Sequence, residues 1–457
     1  MIEGKKFFFT GIGGCGMSGI ASILHSKGYE ISGSDKTYTS TVERLKNQGI
    51  DVYIGHSREN IKDIDVLVYT AAVSDDNPEI IEARKRNIRV IERAEMLGYL
   101  MEGYKHRIGV TGTHGKTTVS SMIAVILSLC NSQPTAVIGG DVQLYNTNAI
   151  LGDSDIIVAE ACEAYGSFLH LRPTISVITN IESEHLDYYK TFENIVSAFS
   201  KYIENTDKDG CVIGCVDDTT IKRLFSTSDR KNISYGLDIS YNFSAQNIDV
   251  SKPSPTFDLY LDGVNNGRVV LNIPGLHNVI NSLAAIAACV EMGLEIDKIK
   301  NALAQYTSVK RRFEKLYDQN DILIIDDYAH HPTELKSTLT TAKKSYKKRV
   351  IAIFQPHLYS RTKDFKLDFA SALSIADKVI VSAIYASREK YDESISGKEI
   401  VDILKSNGYS DAEYMENMDE IIDHLFPNIQ PNDMILTIGA GDIRNTAIEL
   451  IERLQKR

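Results

Sequence analysis

The 457-residue chain has no tryptophan, ten prolines and only six cysteines. The cysteines, at 15, 130, 162, 211, 215 and 289, are too sparse for a disulfide scaffold and form no Cys-x-x-Cys pair. They read as reduced, mostly buried thiols. Cys211 and Cys215 lack the second pair that a zinc site needs. No apolar run approaches the roughly eighteen residues of a membrane span. The run Phe7-Phe8-Phe9 leads straight into a glycine loop, so it reads as a buried strand and not as a signal peptide. Positive charge is also short: 50 Lys and Arg face 61 Asp and Glu, a net charge of −11. That excludes a general attraction to nucleic acid or to an anionic membrane. Any phosphate-bearing ligand must be small and held in a local pocket. A cytoplasmic location is expected.

What the chain does have is a globular balance, 43% hydrophobic and 24% charged, which excludes extended disorder. At about 150 residues per domain the length suggests three domains. Strand-like and helix-like segments alternate from end to end, which predicts an α/β fold with mainly parallel sheets. The first block reads as strands over 6–10, 29–33, 65–70 and 88–91, with a helix from the glycine loop to 27 and a linker over 101–106. The second has strands over 106–111, 155–160 and 174–180 and a helix over 116–129. Its stretch 211–271 is rich in strands and turns, and helices resume over 278–292 and 297–306. The third has strands over 321–326, 349–355, 378–382 and 434–438.

The first glycine loop, Gly11-Ile12-Gly13-Gly14-Cys15-Gly16-Met17-Ser18-Gly19, satisfies G-x-G-x-x-G between a strand and a helix. Glycines there let the backbone approach a pyrophosphate at the positive end of the helix. Asp35 follows the second strand, where an acid that binds ribose or base is expected. The pattern allows NAD or another nucleotide.

The second loop, Thr111-Gly112-Thr113-His114-Gly115-Lys116-Thr117-Thr118, also joins a strand to a helix. Val110 stands where a strict Walker A sequence has glycine, but Gly-Lys-Thr is intact. Backbone N–H groups can cradle phosphates, Lys116 can neutralise them and Thr117 can ligate Mg²⁺. Glu160, ending an apolar strand, is the metal-side acid, with Glu163 in reserve. Asn180, Glu182, Glu184 and His185 crowd the end of another strand. A dehydrogenase needs no such loop. An enzyme that joins two molecules with ATP needs both.

Together these segments resemble the Mur ligases of bacterial cell-wall synthesis, and within them the branch that joins L-alanine to UDP-N-acetylmuramate. The likeness continues through Asn77-Pro78-Glu79, Thr179-Asn180-Ile181, Pro274-Gly275-Leu276-His277-Asn278, Arg311-Arg312-Phe313, Asp326-Asp327-Tyr328-Ala329-His330-His331, Gln355-Pro356-His357 and Gly439-Ala440-Gly441. It implies a Rossmann-like UDP-sugar-binding domain over 1–104 and a central P-loop-type ATPase domain over 105–309. A Rossmann-like C-terminal domain over 310–457 would bind the amino acid and close on ATP. By the same resemblance, Gly11, Gly13, Gly14, Gly16, Met17 and Ser18 hold the UDP-sugar pyrophosphate, and Asp35, Thr70 and Ser74 the uridine. ATP falls to Gly112, Thr113, His114, Gly115, Lys116, Thr117 and Thr118, with His277, Asn278, Asn281, Arg312 and Asp327. The helix start near His277 leaves an ordinary N-cap at Asn278 compatible with that role. Thr117, Glu160 and His185 are the Mg²⁺ residues. Tyr328, His330 and Arg361 meet the alanine, Arg361 by a bidentate grip on its carboxylate. Lys116, His185, His330 and Arg361 form the catalytic set. A monomer and a homodimer both fit.

Two positions depart from many alanine-adding relatives. Leu358 replaces an arginine after Pro-His, and Cys162 replaces an acid between Glu160 and Glu163. Cys162 is a poor ligand for a hard cation. Lys201 lies in the region where some Mur ligases carbamylate a lysine. A ligase that attaches a ready-made tripeptide to the same UDP-sugar is the neighbouring alternative. A folylpolyglutamate synthetase lacks this kind of N-terminal domain. A dehydrogenase leaves Gly115-Lys116-Thr117 unexplained, and a regulatory nucleotide-binding protein leaves His330, Arg361 and Lys116 without purpose.

Overall fold

The structure is a computed structural model and describes residues 4–70, 73–387 and 389–456. Its strands form three open sheets. The first holds β1 (Lys6–Thr10), β2 (Glu30–Asp35), β3 (Asp51–Ile54), β4 (Val66–Tyr69) and β5 (Arg89–Glu92) in the order β3-β2-β1-β4-β5. Every pairing in it is parallel. Phe7, Phe8 and Phe9 on the central strand are at most 2% exposed. A strand covered on both faces needs apolar residues at every position, which accounts for the unbroken run. Helices α1 (Cys15–Ser26), α2 (Ser40–Asn47), α3 (Pro78–Lys85) and α4 (Arg93–Glu102) belong to this block. Asn77 caps α3 by accepting the Glu79 N–H, with Pro78 in the first turn. The strand order reverses at β1, so the first glycine loop opens at the sheet's switch point, where ligands of such sheets bind.

Met101 and Glu102 were expected in a linker but close α4 instead. The reason is burial: Met96, Leu97, Leu100 and Met101 are all 6% exposed or less, so the helix continues as long as it has an apolar face to bury.

The second sheet contains β6 (His106–Thr111), β7 (Thr135–Val142), β8 (Thr147–Ile150), β9 (Ile156–Glu160), β10 (Ile175–Ile178), β11 (Cys211–Cys215), β12 (Lys231–Gly236), β13 (Phe243–Asp249), β14 (Thr256–Leu261) and β15 (Val264–Val270). Their order is β15-β14-β13-β12-β11-β10-β6-β9-β7-β8. β6 lies between β10 and β9, all parallel, so the ends of these three strands deliver the second loop, the Thr179 segment and Glu160 to one edge. β7 and β8 form an antiparallel hairpin. Helix α5 (Lys116–Leu129) is buried from Thr117 to Leu127.

The third sheet has β16 (Glu314–Gln319), β17 (Ile322–Asp327), β18 (Arg349–Phe354), β19 (Lys378–Val381), β20 (Ala412–Tyr414) and β21 (Asp433–Ile438) in the order β16-β17-β21-β18-β19-β20. Only the β16–β17 pairing is antiparallel. Apolar clusters cover both faces.

By compactness the chain forms two units. One is Met1–Asn247, Asp258–Val269 and Ile280–Tyr306; the other is Ile248–Phe257, Val270–Val279 and Thr307–Arg457. All six cysteines are free thiols; Cys211, Cys215 and Cys289 are buried, whereas Cys15 is exposed. Among the described residues no helix is long and apolar enough to cross a membrane.

Candidate active site

The first loop is held by its own strand ends. Gly11 and Ile12 donate their N–H groups to the Ser34 carbonyl at 2.8 and 2.9 Å. Gly13 N–H donates to Asp35 Oδ2 at 2.9 Å. Asp35 therefore holds the loop's backbone in this structure. Thr70 packs on Gly11, where a Cβ would come within 3.1 Å of its methyl. Ser74 is exposed and its hydroxyl donates to Asp76. Met17 and Ser18 are each 1% exposed, so their side chains are turned into the protein, and the Ser18 N–H already donates to the Gly14 carbonyl at 2.9 Å. Arg93, which the sequence reading passed over, lies beside Gly16: a Cβ there would fall 2.9 Å from its Nη1. This puts a guanidinium at the mouth of a loop shaped for a pyrophosphate. The only local hint was its position directly after β5.

The second loop is clamped by the end of β10. Thr113 N–H donates to the Asn180 carbonyl at 3.0 Å, and His114 N–H to Asn180 Oδ1 at 2.8 Å. Asn180 Nδ2 and Thr179 Oγ1 both donate to the His114 carbonyl. Thr179 and Asn180 thus shape the phosphate loop. Asn281 is brought in from the helix Leu276–Glu291, and a Cβ on Gly115 would lie 2.7 Å from its Oδ1.

Lys116 Nζ bonds the carbonyls of Gly112 and Thr113 at 2.7 and 2.9 Å and pairs with Glu163 at 2.9 Å. Burial alone would lower its pKa, but Glu163, then Cys162 and Glu160, outweigh this and raise it. The ammonium is therefore held charged where phosphates would sit. Thr117 Oγ1 donates to Glu160 Oε2 at 2.8 Å. His185 is placed with a different pair: one ligand atom each from Glu163, Glu184 and His185 lie within 4.8 Å of one another. His185 takes a left-handed backbone, φ +55°, as does Tyr165 beside it. Strain at such residues is tolerated where function needs it.

The C-terminal unit gathers a third set. Asp326 is fully buried and bonds Arg311, Arg444 and Thr437. Arg311 Nη2 also reaches the Gly439 carbonyl at 2.7 Å. Arg311 and Arg312 lie over the Tyr328 ring, 4.9 and 5.5 Å from its centre. Asp327 accepts the N–H groups of Phe313 and Ala329, both at 2.8 Å. Burial pushes its carboxyl up to about 6, against the pull of Arg312 and the two N–H groups. His330 meets Tyr328 on one side and His357 on the other, with ring centres 5.5 and 5.9 Å apart. Arg361 Nη1 lies 3.2 Å from His357 Nδ1. His357 is thus the link between His330 and Arg361, a role its place in the Gln-Pro-His segment did not reveal. Leu358 stands at the N-cap of the next helix with φ +70° and is 7% exposed, so its side chain serves packing.

Helix Leu276–Glu291 starts earlier than expected, which places Asn278 inside its first turn. Asn278 Nδ2 donates to the Pro274 carbonyl at 2.6 Å, whereas an N-cap side chain accepts; the N-cap reading is therefore corrected. His277 Nδ1 is 2.8 Å from Ser337 Oγ. Burial, and then the Arg312 guanidinium, push its imidazole down to about 4 against a partial pull from Glu334. A folded value below the unfolded 6.5 means that the unfolded chain takes up the proton first. Stability is then lost as pH falls from about 6.5 toward 4, by about 2 kcal/mol at pH 5 from this residue. We expect His277→Gln to flatten the urea midpoint between pH 7.5 and 5. An unchanged slope would show that His277 is not held neutral.

Comparisons with known proteins agree with this geometry. Residues 6–105 match the Mur ligase family catalytic domain, 110–289 the Mur ligase middle domain, and 311–441 the Mur ligase glutamate ligase domain. The UDP-N-acetylmuramate–L-alanine ligase of Clostridium botulinum (strain Loch Maree / Type A3) is 42% identical over 96% of both chains. That of Geotalea uraniireducens (strain Rf4) is 41% identical over 99% of this chain and 98% of its own. The crystal structure of UDP-N-acetylmuramate-alanine ligase from Thermotoga maritima superposes with a TM-score of 0.86 at 32% identity, covering 99% of each chain. The likeness runs through all three sheets and both glycine loops, and the chain belongs to the Mur ligase family.

Proposed function

We propose that this chain is an ATP-dependent ligase of peptidoglycan synthesis that joins L-alanine to the lactyl carboxylate of UDP-N-acetylmuramate. The products are UDP-N-acetylmuramoyl-L-alanine, ADP and phosphate. The observation that carries the reading is the pairing of two strand-ended glycine loops in one compact unit, one with a charged, buried lysine, in a chain that matches alanine ligases along its length. The acidic chain carries no general surface for nucleic acid, and we place it in the cytoplasm.

The lactyl carboxylate attacks the γ-phosphorus of ATP, and ADP leaves. The amine of alanine then attacks the acyl carbon, and phosphate departs. Both steps load negative charge on a phosphoryl group, so positioning and cation clamping supply most of the rate. Lys116 and the N–H groups of 115–118 hold the phosphates, since those of Thr113 and His114 are taken by Asn180. Arg93 and the first turn of α1 hold the sugar pyrophosphate. Tyr328, His330 and Arg361 receive alanine, with Arg361 on its carboxylate. The donors fit Mg²⁺: hydroxyl and carboxylate at Thr117 and Glu160, carboxylates and imidazole at Glu163, Glu184 and His185. Bound there, Mg²⁺ would neutralise phosphate oxygens. Glu163 would then serve both the cation and Lys116, and Cys162 stays outside the donor set.

The test is ADP release with Mg-ATP and UDP-N-acetylmuramate, with and without L-alanine, with other amino acids and the tripeptide alongside. Release that requires both UDP-sugar and alanine is expected. Release with the tripeptide but not alanine would move the assignment to the recycling ligase. Silence with every amine would sink the ligase reading.

A further inference from the structure

One peptide unit lies between the two glycine loops. The carbonyl of Ile138 accepts the Cys15 thiol at 3.6 Å, and the N–H of the same unit, on Gly139, donates to Glu160 Oε2 at 2.9 Å. That Glu160 oxygen also accepts Thr117 Oγ1. A Cβ on Gly139 would fall 2.3 Å from it, so the close approach requires glycine. The β7–β8 hairpin therefore touches the phosphate loop's acid with one edge of a peptide and the sugar-nucleotide loop with the other.

The return strand adds a second tie. Asn148 is 1% exposed. Its Nδ2 donates to the Cys15 carbonyl and lies 3.4 Å from Ser18 Oγ, both in the first turn of α1. Its Oδ1 accepts Arg44 Nη2 from α2 at 2.7 Å, and Arg44 also pairs with Asp141 on β7 at 3.5 Å. A Cβ on Gly19 would come within 3.2 Å of Asn148 Nδ2, so this helix face is shaped around the amide. An amide is suited to this place because it donates to one element and accepts from another at once.

We infer that Asn148 is a positioning residue for the sugar-nucleotide loop, and that the β7–β8 hairpin couples occupancy of that loop to occupancy of the phosphate loop. The inference rests on the functional reading above for the identity of the two ligands. A nucleotide and its cation would draw Thr117 Oγ1 off Glu160. Glu160 then re-aims, the Ile138–Gly139 peptide follows its acceptor, and the first turn of α1 moves with Cys15. Coupling of this kind is reciprocal, so each ligand tightens the other by the same factor.

The test is calorimetric titration of UDP-N-acetylmuramate with and without a non-hydrolysable Mg-ATP analogue, on wild type, Asn148→Ala and Asn148→Asp. The aspartate variant keeps the acceptor for Arg44 and the side-chain volume. It loses the donor to Cys15 and Ser18 and sets an acceptor against the Cys15 carbonyl, so it breaks the tie without opening a cavity should the alanine variant fail. We expect the analogue to tighten UDP-sugar binding by at least about 5-fold in wild type. In both variants that factor falls toward one and the UDP-sugar Kd rises about tenfold, while the Kd of the analogue alone stays within about twofold. A wild-type factor of one with both ligands bound, or variants that keep the wild-type factor, would overturn the coupling. Alkylation of Cys15 by iodoacetamide, read on its peptide by mass spectrometry, needs no sugar nucleotide. Its rate should change with the Mg-ATP analogue in wild type and not in Asn148→Asp. Should wild type fail to bind UDP-N-acetylmuramate, a Cys15 rate that still responds upholds the coupling and sinks the substrate reading. An unresponsive rate sinks the coupling.

Discussion

Replacing Lys116 with methionine should reduce ADP release by at least about 10³-fold while leaving UDP-sugar binding near wild type. The ammonium is the cation that the loop itself brings to the phosphates, held by two loop carbonyls and Glu163. Methionine fills the same space without charge, so the loss falls on the phosphoryl-transfer step. The variant also leaves Glu163, 3% exposed, as a buried carboxylate without its cation. Breaking a buried pair in this way costs about 3 kcal/mol or more. Adding Glu163→Gln removes the orphaned charge, so the double variant should recover most of the urea midpoint and none of the activity. Single-turnover ADP formation and the two midpoints separate these effects. A Lys116→Met enzyme with a tenth of the wild-type rate would remove Lys116 from its assigned role.

Gly112→Ala should be the most damaging small substitution in the phosphate loop. Gly112 has φ +131°, and an added Cβ would lie 2.1 Å from Thr179 Oγ1 and 3.0 Å from the backbone nitrogen and carbonyl of Asn180. Thr179 cannot swing away freely, because its hydroxyl bonds the carbonyls of Thr111 and His114. Backbone strain and overpacking together should cost about 3 kcal/mol. The loop would have to leave β10, and nucleotide binding should fall below detection in a titration. Gly28→Ala is the control. Gly28 has φ +86° with nothing within 4 Å of its Cβ position, so it should lose only about 1 kcal/mol, the strain alone, and keep full affinity. Equal behaviour of the two variants would show that the contact with Thr179 and Asn180 does not shape the loop.

Much of this site could be read in the chain because its chemistry is local. A strand, a glycine loop and a helix follow one another within about ten residues, and Lys116 and Thr117 sit at the helix start by sequence alone. The triple Phe7–Phe9 and the apolar α5 announce strands and helices covered on all sides for the same reason. What a residue does with its neighbours in sequence depends on propensity and spacing, and these are visible in a string of letters.

The partners that complete the site come from far along the chain, and there only tertiary structure decides. Asn281 reaches Gly115, Arg93 reaches Gly16, and Asn148 reaches Cys15, because sheet order and helix docking set those neighbours. Asn180 could be placed near a ligand from its motif, but only the register of β10 beside β6 shows both ends of its amide used on the loop. Met17 and Ser18 could be placed in the motif, but α1 is buried from Met17 to Leu24 and carries no polar face that would betray which side chains are spent on the core. The sequence by itself determined two glycine loops between strand and helix, the lysine of the second and an α/β frame, since each arises from short-range geometry. The tertiary structure alone decided which distant side chains hold those loops and link them, since a contact across a hundred residues depends on the packing of whole sheets.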